Sequence, residues 1–247
     1  MLKFNLLIVF LTTFISYAQE YNYSLYSVHL EYNESSEVFT PELLAMLEPQ
    51  IEEINNLQLE INFNKSLSFT RKVEALSKGS LNTTNKSTPM LSVVGLGRTE
   101  YVDFTNGTYF FQKGGNSIPK HLVQYNDMLK WDITTETKVK NNITLRKATA
   151  VFTNDGGKKY KTIAWFDASK PQSIGPAHFN GLPGVITELS IDLLEGPKFM
   201  PYTLNLIKLE NKKIESFTVP PKELKILTFE ESEDLYRRDF EKFKNNN

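Results

Sequence analysis

The chain has 247 residues, with 28 Lys and Arg against 29 Asp and Glu, 17 Phe, 11 Tyr, 2 Trp, 3 His and no Cys. The formal net charge of −1 argues against a general nucleic-acid binder, which carries a basic surplus for the phosphates. Without cysteine there is no disulfide, no thiolate-bound zinc or iron–sulfur cluster, no Cys nucleophile and no lipid anchor on an N-terminal Cys, and three scattered histidines do not make a His-rich metal site.

Residues 1–19 carry one positive charge at Lys3, then an apolar run over 6–15 broken by Thr12 and Thr13, then Ser16-Tyr17-Ala18-Gln19. This is the order of a secretory signal. The run of about ten residues is too short for the roughly 20 that span a bilayer. The expected organisation is a signal peptide over 1–19 and one β-rich domain over 20–247. No transmembrane segment is expected after signal removal, which places the protein in the periplasm or outside the cell.

In chain order, residues 20–32 read as a strand. Thr40 and Pro41 open a short helix over about 41–56, with Leu43, Leu47, Ile51 and Ile54 at helical spacing. Pro49 should kink or break it. Leu57, Leu59, Ile61 and Phe63 alternate with polar residues, as in a strand with one wet face. The Ser-, Thr-, Asn- and Lys-rich segment 77–90 reads as a loop. Asn106-Gly107 between apolar runs predicts a two-residue hairpin turn pairing Phe104 with Tyr109 and Val102 with Phe111. Residues 128–138 read as a strand. Hairpins follow at Asn154-Asp155-Gly156-Gly157 and at Glu195-Gly196-Pro197. Thr228-Phe229-Glu230-Glu231 has the form of a capping box and begins a C-terminal helix over about 228–244. Tyr236, Phe240 and Phe243 share one of its faces.

Strands recur without intervening helices of βαβ length, so the predicted class is mainly β. The expected architecture is a large, antiparallel, curved sheet of hairpins with two helices. No G-x-S-x-G, H-E-x-x-H, Walker or G-x-G-x-x-G pattern is present. Gly95-Leu96-Gly97 reads as a turn, and Asn154-Asp155-Gly156-Gly157 lacks the further acidic ligands of a calcium loop. The sequons at Asn33, Asn64, Asn82, Asn85, Asn106 and Asn142 follow from an Asn-, Ser- and Thr-rich composition. His178, with Asp167 and Glu188 near it in sequence, is a candidate for acid–base chemistry or an ordinary loop histidine; sequence leaves both open. No catalytic residue, cofactor ligand or metal ligand is assigned.

Residues 167–190 read D-A-S-K-P-Q-S-I-G-P-A-H-F-N-G-L-P-G-V-I-T-E-L-S. Leu182-Pro183-Gly184-Val185 suits a type II turn. Phe179 and Leu182 are apolar in a loop-like stretch and are expected to fold back onto the sheet. The stretch resembles the signature of the GLPGLI family, secreted proteins abundant in Bacteroidota-type bacteria. The motif stands here as Gly181-Leu182-Pro183-Gly184-Val185-Ile186. Ala164-Trp165, Gly175-Pro176, Lys147-Ala148 and Trp131 match further elements in order. Val185 replaces the second Leu of the motif, a cysteine common before the Lys-Ala pair is missing, and D-A-S-K-P-Q-S replaces a loop containing Ile-Pro. The resemblance implies an exported β-rich protein and no catalytic mechanism. It marks Trp165, Gly175, Pro176, Phe179, Gly181, Leu182, Pro183 and Gly184 as an architectural turn that can also contact a ligand or partner.

The leading functional expectation is an exported, non-catalytic envelope protein binding a hydrophobic or peptide ligand, or a protein partner. A hydrolase with a carboxylate and His site, and a structural component of a surface complex, remain open. The signal reading makes one expectation directly measurable: N-terminal sequencing of the exported protein should begin just after Ala18 or Gln19. A mature protein starting at Met1 or Leu2 would overturn it.

Overall fold

Apolar residues at period two build the central strands, as in Leu57, Leu59, Ile61 and Phe63. The structure is a computed structural model that describes residues 22–31, 40–75, 81–83, 94–115, 117–125, 128–170, 172–195, 201–213, 217 and 220–245. The segment 1–19, residues 77–80 and 84–90 of the Ser- and Thr-rich stretch, and Gly196-Pro197 of the third hairpin turn lie outside them. The elements are β1 (Tyr23–Leu30), α1 (Pro41–Asn55), β2 (Leu57–Phe63), β3 (Leu67–Ala75), β4 (Leu81–Thr83), β5 (Glu100–Asp103), β6 (Thr108–Gly115), β7 (Ile118–Tyr125), β8 (Asp132–Lys140), β9 (Ile143–Thr153), β10 (Lys159–Asp167), β11 (Val185–Leu193), β12 (Tyr202–Glu210), β13 (Lys225–Leu227) and α2 (Phe229–Asn245).

All thirteen strands join one sheet in the order β13-β7-β6-β5-β3-β2-β1-β12-β11-β10-β9-β8, with β4 beside β3. The pairs are antiparallel except β13 with β7. The mainly β class, the curved antiparallel sheet and the two helices are therefore as expected from the sequence.

Register assigns the faces. Tyr26 lies opposite Leu59, and Ser24 opposite Ile61, so Leu57, Leu59, Ile61 and Phe63 share a face with Tyr26, Val28 and Leu30. The same face continues through Leu204, Leu189, Ala164 and Ala148, and all of these residues are buried. Ile51 and Ile54 of α1 pack into this core. The Asn55 side chain accepts a hydrogen bond from the Leu30 amide at 2.8 Å and ties the end of α1 to β1. On the other face of β1 to β3, Glu60 is 5% exposed and pairs with Arg71 at 3.0 Å.

The concave face is filled mainly by a loop. Ile174, Ala177, Phe179 and Leu182 of segment 172–184 are buried in the same core as the strands, with Val94 and Leu96 beside them. Ile174 bridges to β11, donating to Gly184 O and accepting from the Ile186 amide. Burying Phe179 and Leu182 stabilises the fold by about 1.5–3 kcal/mol each.

Both helix starts follow sequence chemistry. Thr40 accepts from the Leu43 amide at 3.3 Å. Thr228 and Glu231 exchange reciprocal side chain-to-backbone hydrogen bonds of 2.8 and 3.2 Å, the two halves of a capping box.

Five local expectations are corrected. α1 runs through Pro49 without a break; Ile51 and Ile54, which follow it, are the buried anchors that hold the second half. The hairpin at Asn106-Gly107 pairs Val102 with Tyr109 and Asp103 with Thr108, two residues away from the expected register. The reason is Asp103, whose carboxylate accepts from the Thr105 and Asn106 amides and the Asn106 side chain and organises a four-residue loop. A shift of two leaves Val102, Tyr109 and Phe111 on one face. Segment 128–131 is outside the sheet, because Trp131 leaves it to donate to Asn180 O at 2.7 Å. β4 lies within the stretch read as a loop and extends the ladder of β3. Gly184 has φ +154, not the value near +80 of a type II turn, and its amide donates to Leu182 O at 2.8 Å, a tighter three-residue turn.

Gly184 sits directly on the end of β10: a Cβ there would collide with Asp167 O and stand 3.0 Å from the Ala168 Cα. Gly107 has φ +64 with open space around it. Gly184→Val is expected to cost about 3 kcal/mol, the upper end for backbone strain, and Gly107→Val about 1–2 kcal/mol. Denaturant midpoints compare them; equal midpoints would mean that Gly184 is not closely packed.

Candidate functional site

The two ends of the sheet meet. Eight strands stand between β7 and β9 in the sheet order, so in a flat sheet they would be on the order of 40 Å apart. Yet the Tyr125 hydroxyl of β7 donates to Asp155 Oδ1 in the β9–β10 turn at 3.0 Å. Arg98 holds Asp155 Oδ2 at 2.8 Å. The sheet is therefore rolled, and a cavity of about 350 Å³ lies at the junction.

Alternation on β5, β6 and β7 aims Glu100, Tyr109, Phe111 and Tyr125 into this cavity: Glu100 lies opposite Phe111, and Tyr109 lies opposite both Val102 and Tyr125. Phe152 enters from β9, and Leu129 from segment 128–131. Tyr109 stacks on Tyr125 with ring centres 4.9 Å apart and planes 8° apart. Tyr109 also stacks on His178 at 5.7 Å and 21°. Phe152 meets His178 edge-on at 5.7 Å. The Arg98 guanidinium lies 4.3 Å over the Phe111 ring.

His178 is placed by its loop. Ala177 takes φ +54, and the Phe179 amide donates to Pro176 O at 3.0 Å. Asn180, 1% exposed, pins the turn: its Oδ1 accepts from the Gly175 amide at 2.9 Å, and its Nδ2 donates to Ala177 O. The His178 ring is thereby brought to Glu100, with Nδ1 3.5 Å from Oε2. Burial pushes the Tyr109 phenol well above its ordinary range, and the nearby Glu100 carboxylate adds to this. Burial, followed by the Asp155 carboxylate, does the same to Tyr125. Both phenols stay protonated at neutral pH and present O–H groups.

The sequence candidates separate. His178 lines the cavity. The Asp167 carboxylate accepts from Ser169 N and Oγ at 2.9 and 2.6 Å at the end of β10. Glu188 lies opposite Trp165 on the outer face and binds Lys138 and Lys140 at 2.5 and 2.6 Å. Burial pulls the Glu188 carboxyl upward, but the hydrogen bonds from the two lysines outweigh this and hold it below the usual carboxylate range. The three groups do not form one site. Trp165 also lies on the outer face, with the Lys138 ammonium 4.4 Å from its ring centre. Gly175, Pro176, Phe179, Leu182 and Gly184 are buried in the loop, while Gly181 and Pro183 are exposed.

Sequence reading missed Arg98, Glu100, Tyr109, Tyr125 and Asn180 as site residues. Glu100 alternates into the same face as Val102, and that placement of a carboxylate on an apolar face was the available signal. Arg98 and Asp155 carry none, since nothing in one sequence pairs residues 57 positions apart.

No protein-family model and no curated protein matches the chain. Among solved structures it is similar to PNGF-II in a C2 crystal form, with TM-score 0.51, 10% identity, 87% of this chain covered and 32% of that one. A second crystal form of PNGF-II gives TM-score 0.48, 8% identity and coverages of 87% and 33%. The lipoprotein LppX of Mycobacterium tuberculosis gives TM-score 0.32, 10% identity and coverages of 79% and 89%. The first of these likenesses shows a shared fold. The chain spans about a third of the PNGF-II chain.

Gly95, with φ +76, sets the floor beneath His178: a Cβ there would stand 2.6 Å from the His178 Cε1. The imidazole is held between aromatic rings and cannot retreat freely. Gly95→Ala is expected to lower stability by about 1–3 kcal/mol and to move the His178 ring off Tyr109. The His178 proton shifts in NMR report that displacement; unchanged shifts would show that the ring does not rest on Gly95.

Proposed function

We propose that the protein is an exported, non-catalytic binding protein that takes a small ligand in the cavity at the junction of the rolled sheet. The observation that carries this reading is the cavity itself: about 350 Å³, walled by Tyr109, Phe111, Tyr125 and Phe152, with a few polar groups converging on it. That volume stands near the lower end of ligand clefts, roughly 300–1,000 Å³. It fits a small molecule or one peptide side chain better than a long acyl chain, because the rest of the concave face is packed solid by segment 172–184. Export is read from residues 1–19, and the likeness of 167–190 to GLPGLI sequences agrees with it.

Two other readings have less support. A hydrolase built on His178, Asp167 and Glu188 would need these groups together, whereas His178 lines the cavity, Asp167 is bound by Ser169 and Glu188 by Lys138 on the outer face. Docking of a partner strand on the longer of the two terminal strands would use β8. Asp132, Glu136, Lys138 and Lys140 lie along it, and charges of this kind blunt edge pairing.

The test is an amide NMR titration of the full chain with a library of small aromatic and aliphatic fragments. Shift changes are expected to concentrate at Arg98, Glu100, Tyr109, Tyr125 and Phe152. Absence of any binder, or shifts centred on the outer face around Trp165, would overturn the reading.

A further inference from the structure

We propose that this cavity selects a cation, namely a primary alkylammonium whose N–H groups are accepted by Glu100 and whose carbon chain lies against Tyr109 and Phe152. The inference rests on the cavity being a ligand site and names the chemistry of what it takes.

Glu100 carries the argument. It lines the cavity, is 2% exposed, and its Oε2 accepts no hydrogen bond among the described residues. Its near polar neighbour, His178 Nδ1 at 3.5 Å, stands beyond the ordinary 2.7–3.2 Å of an N–H···O bond. A buried carboxylate oxygen without a donor is costly, and the cost is relieved when a donor arrives with its own positive charge.

The cations already at the site are not placed to do this. Arg98 is held by Asp155 and covers Phe111, and Lys130 lies on the exposed rim. Asp155 is in turn engaged by Arg98 and Tyr125. What remains facing the cavity is one carboxylate inside an aromatic wall. Ring faces are negative and attract a desolvated ammonium. An anion would meet the buried Glu100 carboxylate while Arg98 is committed to Asp155 and Lys130 stands out on the rim, and a neutral apolar ligand would leave Oε2 unpaired. A primary ammonium has three donors and an alkyl body for the rings, so it meets both demands.

The experiment is calorimetric titration of the full chain with n-butylammonium chloride, n-butanol and sodium butyrate, three probes of nearly equal size. Butylammonium is expected to bind more tightly than butanol by about tenfold or more, the scale of a hydrogen bond to a charged group, and butyrate is expected not to bind. In Glu100→Gln, which keeps the shape, butylammonium should fall to the level of butanol. The comparison on the unsubstituted chain stands even if the variant does not fold. Butanol or butyrate binding as well as butylammonium would overturn the cation inference and leave the cavity reading intact. Unchanged butylammonium affinity in folded Glu100→Gln would also overturn it. Failure of all three probes, together with failure of the fragment titration, would overturn both.

Discussion

Packing of segment 172–184 into the concave face of the sheet is the contact on which the other features depend. A sheet of this length has more apolar inner surface than α1 can cover. Ile174, Ala177, Phe179 and Leu182 supply the missing cover and pack with strands from β1 to β11. The loop can do this because its backbone polar groups are satisfied locally. Asn180 serves Gly175 and Ala177, and Ile174 exchanges hydrogen bonds with Gly184 and Ile186. A buried loop without such partners would lose in unpaired amides what it gains in burial.

The same packing positions the cavity. Phe179 is anchored beside Phe152 with ring centres 5.4 Å apart, and His178, one residue earlier, is thereby presented at the junction. Tyr109 and Tyr125 continue the stack from the other end of the sheet. The closing contacts are polar: Arg98 and the Tyr125 hydroxyl converge on one carboxylate, Asp155. Because this junction is partly exposed, its ion pair contributes little net stability. Its consequence is geometric, holding the rim at one width, while the hydrophobic core holds the roll.

The two faces have different chemistry. On β8 to β11 the outer face carries Lys138, Lys140, Lys147, Trp165 and Glu188 in a network of ion pairs and cation–π contacts, as suits a solvated surface. The inner face is mainly apolar, interrupted by small hydroxyls such as Ser24, Ser68, Thr70 and Thr162, and Glu100 and His178 stand on it at the junction. A charge is expensive in that setting, which makes Glu100 a sharper pointer to a ligand than the more numerous charges outside.

Period-two alternation, turn residues and capping patterns in the sequence determined the β class, most strand positions, both helices and the faces of the strands. These are local properties, legible wherever neighbouring residues set the conformation. Leu57 to Phe63, Asn154-Gly157 and the Thr228–Glu231 box belong here. The inward-facing Phe179 and Leu182 were legible too, since apolar side chains in a loop must be buried somewhere. Tertiary structure alone decided the register at Asp103, the passage of α1 through Pro49, and the composition of the cavity. Glu100, Tyr109 and Tyr125 come from one end of the sheet, Phe152 and Asp155 from the other, and His178 from the loop between. Their meeting depends on how far thirteen twisted strands roll, and that sum over many strand pairs is not encoded at any one position. Tertiary structure also decided the separation of Asp167, His178 and Glu188: Asp167 is held by Ser169 at the end of β10, Glu188 by Lys138 and Lys140 on the outer face, and His178 is carried into the cavity by its loop.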